Sequence, residues 1–515
     1  MKKALNFLFR IAYNNGTKMQ ININKQDKII YIVLFLIAFA VIFNSTYSPV
    51  NFRRMHVDSS VYVTIGQGIT RGFLPYKDFV DNKGPLIYLF NAAGLRLGGF
   101  TGIWILELLL MCISVLFAYK TALFFGDRLK ALLGTAFSFI VLNAFFTVNA
   151  GTEEYSLPFL MISLYIFTKY FFSQKQEVSF RELIVLGICF TSAVMIRLNM
   201  FPLWAGFCTV IFLETIIKRR FSLLGKYILG FSLGIAIISV PLFLYLKLNG
   251  IMDMFIEQVI LGGASRGFDS GGLKNIAQNF YVVVNRNFSI IPIMIGVFWL
   301  ITKFKKPYFT FYISYTFSCL LMILFLSFAS GGSHYNMMLI PFFVPALTFL
   351  VGIIHSTFAE MKSKTLLTII FFSFVFSEGI VNYLYDLTKI FDDNSGTQLI
   401  NAGRMIDENT SPHDKIISLG FNAYIYPFTK RNAASGYIYQ GSGLSHISGA
   451  REAFISDILT GKPAIIALFT AEDGVGQIMS DWHDPIFEMI EREYRLLSDE
   501  NGFKLFIKKD IGNVY

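Results

Sequence analysis

The chain has 515 residues, 54% of them hydrophobic and only 15% charged, with a mean hydropathy of +0.55. A soluble domain carries about 25% charged residues, and the apolar excess here falls in blocks of about 20 residues, enough to cross a hydrocarbon core of ~30 Å. That pattern excludes a soluble enzyme or a nucleic-acid reader, and 56 Phe and 25 Tyr against 14 Pro exclude a disordered chain. The net charge of +10 divides unevenly: residues from Asp386 onward hold 12 Lys and Arg against 18 Asp and Glu, whereas the preceding residues hold 32 against 16. Basic residues beside apolar spans report membrane topology rather than a nucleic-acid partner.

In chain order, a basic N-terminal stretch (Lys2, Lys3, Arg10, Lys18, Lys25, Lys28) precedes the apolar run Ile29–Phe43. A cleaved signal peptide places its apolar stretch nearer the start, so this run reads as a retained anchor with a cytoplasmic N-terminus. Further apolar runs lie near 102–119, 131–148, 155–172, 182–196, 200–217, 227–246, 287–302, 308–328, 336–354 and 365–384. Together they make a polytopic α-helical membrane protein of about 11 transmembrane helices. An odd number of spans puts the C-terminal region outside. The proposed inner segments carry 21 Lys and Arg and the proposed outer ones 11, which supports that topology.

Two regions interrupt the spans. The first outer loop, residues 47–100, is long and rich in Gly, Asp and aromatic residues. The region 386–515 reads as a small extracytoplasmic α/β domain following a membrane domain over 1–385. Within it Lys415–Gly420 and Pro463–Phe469 are expected strands, Ala450–Leu459 and Pro485–Tyr494 expected helices, and Tyr494 to Lys508 a closing hairpin. The four cysteines (Cys112, Cys189, Cys208, Cys319) all lie inside apolar runs and read as small packing residues.

The first outer loop is densest in reactive side chains. Asp58 opens an amphipathic stretch, where it either caps the helix or acts as a general base on a hydroxyl at the outer interface. Lys77, Asp78, Asp81 and Lys83 alternate in sign where the chain returns to the apolar run Pro85–Phe90. They form either a self-paired loop or a phosphate-binding rim. Asp78 and Asp81 with Glu153 could supply a carboxylate site for a divalent cation, though their spacing does not require one. Glu153 and Glu154 sit at the outer start of the fourth span, with no basic residue in their own loop. There they suit the helix dipole or serve function. Arg197, beside Asn199, ends the fifth span and either snorkels or holds a phosphate. Ser330-Gly-Gly-Ser-His334-Tyr335-Asn336 precedes a Pro-containing apolar run. A glycine-rich outer segment spans Gly262 to Gly272, and the GxSxG spelled by Gly263–Gly267 lacks the strand-turn-helix setting of a hydrolase nucleophile. No P-loop, dinucleotide fingerprint or HExxH is present.

The run Asp58-x-x-x-Tyr62, then Gly72-x-Leu-Pro-Tyr76-Lys-Asp-Phe-Val-Asp81-Asn-Lys83-Gly-Pro85-Leu-Ile-Tyr88, resembles the first extracytoplasmic loop of bacterial GT-C membrane glycosyltransferases. These are relatives of the protein O-mannosyltransferases and aminoarabinose transferases. Gly84 departs from the pattern, at a place often held by Pro. The resemblance implies a GT-C bundle with an outer-face active site, Asp58 as catalytic base, and two short interfacial helices between the matched segment from Pro75 to Tyr88 and the second span. It also implies Glu153 as a second catalytic acid and a His334-Tyr335 pair that helps bind the donor phosphate. Tyr62, Tyr76, Lys77, Asp78, Asp81 and Lys83 fall in the matched loop and are expected at the substrate site with Arg197. The implied partners are a polyprenyl-phosphate-linked sugar donor, membrane lipid and a cell-envelope acceptor, with inversion at the sugar. A transporter or flippase of lipid-linked saccharides is the alternative. Such proteins carry internal repeats and midplane charges, whereas here the charges crowd the outer ends.

Overall fold

The computed structural model describes residues 25–50, 56–145, 151–262, 272–285, 288–304, 308–328, 333–392, 395–440, 444, 447, 449–469, 480–500 and 503–511. The basic N-terminal residues up to Lys18, Asn149, the segment 263–271 with its GxSxG, and Ser330–Gly332 lie outside these. Each of the eleven expected apolar runs is helical where described. By length and hydropathy, however, five described helices suffice to cross a membrane: Pro85–Ala122, Thr152–Phe172, Phe221–Leu248, Phe309–Ser327 and His334–Thr357. Counting each of two bent pairs as one span raises that to seven. The expected single span 365–384 is one of these pairs, Lys364–Val375 and Ser377–Thr388, bent by 75° at Phe376. Helix Phe221–Leu248 leaves Ile228, Leu229, Leu233, Ile237, Val240 and Leu244 exposed, an apolar stripe suited to lipid rather than water.

The first outer loop holds two helical segments, but one of them precedes the matched segment from Pro75 to Tyr88, whereas the resemblance puts both after it. Val57–Thr70 is one. The other begins at Pro85, whose fixed φ suits a first helical position, and runs to a break at Gly98 and Gly99. Gly99 has φ 63°, in the left-handed region that favours glycine. Beyond it the helix resumes and runs to Ala122.

The C-terminal region carries a five-stranded sheet in the order β2-β1-β3-β5-β4. β1 (Lys415–Leu419), β2 (Asn432–Ala433) and β3 (Ile465–Phe469) are parallel, and β4 (Tyr494–Glu500) and β5 (Phe503–Lys508) close it antiparallel. β3 is buried along its whole length, which is why it reads as a continuous apolar run rather than an alternation. The expected strands, helices and hairpin are all present. The short edge strand β2 and helix Ser395–Glu408 were not anticipated.

The sheet and the outer loop share one apolar core, in which Tyr62, Ile65, Phe79, Ile87 and Tyr88 join Ile416, Ile417, Ile465 and Leu505. Hydrogen bonds fix the contact: the Val80 N–H donates to Gly436 O (2.9 Å), the Ala423 N–H to Ser60 Oγ (3.1 Å), and the Arg71 guanidinium to Thr429 O (3.2 Å). The loop is therefore held between the helical bundle and the α/β unit.

Gly84 shows why the matched motif departs here from Pro. Its N–H donates to Ile196 O (3.1 Å), and a Cβ built on it would lie 2.0 Å from Met195 O. Gly84→Ala should lower the unfolding temperature in nanodiscs, at a cost of about 1–3 kcal/mol for overpacking. An unchanged Tm would contradict this close approach.

Candidate active site

Four chain segments bring charged side chains together beside the N-terminus of helix Val57–Thr70. His56 is the N-cap of that helix, its Nδ1 accepting the Asp58 N–H (3.4 Å). Asp58 is thus not the cap, and its half-buried carboxylate points elsewhere. Burial alone raises the Asp58 carboxyl. Lys83, His56, His334 and Arg197, in decreasing order of effect, outweigh it and hold the group below the usual Asp value. Burial in turn holds His334 below the usual His value, so at neutral pH it is an uncharged imidazole. Asp58 therefore sits as an anion among four cationic or basic groups.

On the far side of this cluster, Glu153 and Arg197 form a buried ion pair, their side chains 4% and 13% exposed. Arg197, read as snorkelling or holding a phosphate, is instead paired with a carboxylate from another loop, because helix Phe180–Ile196 ends at an extended Arg197 facing the start of helix Thr152–Phe172. The Thr152 hydroxyl donates to Glu153 Oε2 (2.9 Å), and the Arg197 guanidinium lies 4.1 Å from the centre of the Tyr335 ring, a cation–π contact. The adjacent Glu154 instead accepts the Gly151 N–H (2.9 Å) and closes the helix start. His334 and Tyr335 stand on a 3₁₀ turn, their ring centres 4.1 Å apart, and His334 lies 6.0 Å from His56. Tyr62 is one turn below Asp58 on the same face. Burial, then the carboxylates of Asp58, Asp81 and Glu153, raise its phenol, so it stays a proton donor.

Other expected site residues go elsewhere. Asp81, 3% exposed, accepts from the hydroxyls of Tyr88 (2.7 Å) and Tyr439 (2.9 Å), and its N–H donates to Gln258 Oε1 (3.2 Å). Asp78 accepts the Leu74 N–H (2.7 Å). With Glu153 committed to Arg197, the divalent-cation site of Asp78, Asp81 and Glu153 is not formed. Among the described residues, no group of three or more His, Cys, Asp and Glu is placed to hold a metal ion. Lys77 is exposed and faces a separate cleft against the α/β unit.

Tyr76 supports the site rather than lining it. Its φ of 68° is a left-handed conformation costly for a bulky residue. Two hydrogen bonds hold it there, its hydroxyl to Lys83 O (2.8 Å) and the Gln258 amide to its carbonyl (2.7 Å). Lys83 donates to Asn82 Oδ1 (2.8 Å) while its charge reaches Asp58.

Sequence reasoning missed four participants. His56 stands two residues before Asp58, a signal that was present but unused. Tyr88 closes the matched motif. Gln258 and Tyr439 lie far away in sequence, with nothing local to mark them.

Loss of Glu153 alone would strand a buried guanidinium, a change that costs about 3–5 kcal/mol. Glu153→Gln should lower the Tm substantially, and adding Arg197→Met should recover most of the loss. A double variant no more stable than Glu153→Gln would contradict the pairing.

No protein-family model matches the chain, and no curated protein matches it in sequence. Its fold does match solved structures. ArnT from Cupriavidus metallidurans bound to undecaprenyl phosphate superposes with a TM-score of 0.58 over 94% of this chain and 98% of that one, at 10% identity. The apo state of the same protein gives 0.51 over 93% and 97%, at 13% identity. AglB from Archaeoglobus fulgidus, in complex with an inhibitory peptide and a dolichol-phosphate, gives 0.49 over 95% and 75%, at 12% identity. The two ArnT matches cover nearly the whole of both chains, and the chain accordingly shares the fold of that protein.

Proposed function

We propose that the protein is a membrane glycosyltransferase that moves a sugar from a polyprenyl-phosphate donor to a cell-envelope acceptor on the outer face of the membrane. The observation that carries this reading is Asp58, an anion facing Lys83, His56, His334 and Arg197 in a chain of ArnT-like fold. A site with the Asp58 carboxylate, the Lys83 and Arg197 cations and two imidazoles suits a reaction in which a hydroxyl loses a proton and a phosphate gains charge. The ArnT structure with undecaprenyl phosphate supports a lipid-phosphate donor. In the bilayer, the N-terminus lies in the cytoplasm and the α/β unit outside.

The acceptor oxygen attacks the anomeric carbon as its bond to the phosphate oxygen breaks, and the lipid phosphate leaves with that electron pair. The hydroxyl proton passes to Asp58. Lys83 and His334 stabilise the phosphate directly. Arg197 contributes through a charge already shared with Glu153, which makes Glu153 a positioning residue for Arg197. One displacement from the face opposite the leaving group inverts the sugar.

A carboxylate held below its usual pKa is a weak base at neutral pH. Proton removal therefore accompanies C–O bond formation, when the attacking hydroxyl has become acidic. Asp58→Asn should reduce transfer of label from radiolabelled polyprenyl-phosphate sugars by roughly 10²–10⁴-fold, with the helical fold retained by circular dichroism. Near-normal transfer by this variant would sink the assignment.

The pH dependence gives a second test. With Asp58 depressed, the acid limb of the rate profile falls below the ordinary Asp range. Lys83→Met removes the strongest of the lowering charges, so Asp58 titrates higher and the limb moves to higher pH. An unmoved limb would show that Lys83 does not act on Asp58.

A further inference from the structure

At the opposite end of helix Val57–Thr70 from Asp58, the outer loop and the α/β unit enclose a cleft of about 270 Å³. Four cationic side chains line it, Arg71 and Lys77 from the loop and Lys415 and Arg431 from the α/β unit, against two carboxylates, Asp78 and Asp457. Both carboxylates have short hydrogen bonds of their own, Asp78 from the Leu74 N–H (2.7 Å) and Asp457 from the Ser435 hydroxyl (2.7 Å). Arg431 is drawn back to Thr410 and Asp407. Arg71 donates to neutral oxygens of Thr429 and Asn432. Lys77 and Lys415 are exposed, and among the described residues neither is in an ion pair.

The sign of this cleft is opposite to that of its surroundings. From Asp386 onward acidic residues exceed basic ones 18 to 12, yet the cleft gathers cations at the seam where the α/β unit meets the loop. A locally focused positive potential in an acidic unit favours an anion over a neutral ligand. The wall also offers Phe73, half-buried, and the small residues Ala433, Ala434 and Gly436 around edge strand β2, an aromatic face and a flat floor suited to a sugar ring. At 1.5 Å per helical residue, Gln67 in the cleft wall lies roughly 14 Å along the helix from Asp58, within reach of an extended saccharide.

We infer that this cleft binds an anionic segment of the acceptor, a saccharide chain bearing phosphate or carboxylate groups, while another part of that chain reaches Asp58. The inference rests on the transferase reading and names its acceptor class. Lys77 and Lys415 supply the attraction, Arg71 adds charge while tying the loop to the α/β unit through Thr429 and Asn432, and Arg431 is held back by Asp407.

The test uses the full chain in nanodiscs of zwitterionic lipid, with a fluorescent glycerol-phosphate hexamer as probe and maltohexaose as neutral control. The hexamer should bind, weaken steeply with salt, and lose at least about ten-fold in affinity in Lys77→Glu/Lys415→Glu. Maltohexaose should compete poorly. Lys77→Gln/Lys415→Gln, a milder change, should give an intermediate loss, so that a misfolded charge reversal is not mistaken for lost binding. Asp58→Asn should bind the hexamer as the wild type does. Hexamer affinity indifferent to both lysine pairs would overturn the cleft even if Asp58→Asn abolished transfer. Lysine-dependent binding by a protein that transfers no sugar would support the cleft and overturn the transferase reading alone.

Discussion

The carboxylate of Asp81 is almost wholly out of water and accepts from two phenols, Tyr88 on the bundle side and Tyr439 in the α/β unit. A buried carboxylate without such partners is strongly unfavourable, so the two hydroxyls and the carboxylate require one another. Their meeting fixes the outer loop in register against both neighbours. Asp81 precedes Lys83 by two residues, and the hydroxyls of Tyr76 and Tyr88 also reach Lys83 O (2.8 and 3.3 Å). The network that closes the interface therefore also sets the backbone from which Lys83 extends toward Asp58. Gly84 completes the arrangement by allowing the backbone at Met195 to approach where any Cβ would collide, which leaves Arg197 two residues further on beside the same cluster.

This geometry separates two kinds of acidic residue. Asp78, Asp81 and Glu154 spend their oxygens on hydrogen bonds that shape the loop and helix ends. Asp58 has a helix-terminal position, partial exposure and, around it, the charges of Lys83 and Arg197 with the imidazoles of His56 and His334. The same charges that keep it ionised weaken it as a base. They also offer a departing phosphate its stabilisation, so the site favours charge development on the leaving group over early proton abstraction. Glu153 holds Arg197 against the Tyr335 ring and thereby fixes one of those charges.

Much of the fold was legible because its signals are local. Apolar runs bounded by charge mark the helices, and Lys415–Gly420 and Pro463–Phe469 mark the buried strands. The break at Gly98-Gly99 and the bend at Phe376 were not foreseen, since a long apolar run reads the same whether it is straight or bent. Asp58, Tyr62, Lys83, Glu153, Arg197, His334 and Tyr335 were named from the sequence and do converge. The ion pair of Glu153 with Arg197 was missed because its partners are 44 residues apart and each looks isolated within its own loop. Asp81 and Asp78 were grouped with the site because they fall in the matched loop, whereas a local motif does not reveal that Tyr439, 358 residues away, claims one of them. Lys77 was read with Lys83 as part of a self-paired loop or a phosphate-binding rim. The left-handed turn at Tyr76 sends it to the other end of the loop.

The most direct test of the account follows the bond between sugar and lipid phosphate. Purified protein in nanodiscs, given a radiolabelled polyprenyl-phosphate sugar and an envelope extract, should break that bond and deliver the label to an acceptor with the opposite anomeric configuration, as read by NMR of the isolated product. Label that crosses between leaflets with the sugar–phosphate bond intact would contradict the account and make the protein a carrier of lipid-linked saccharide.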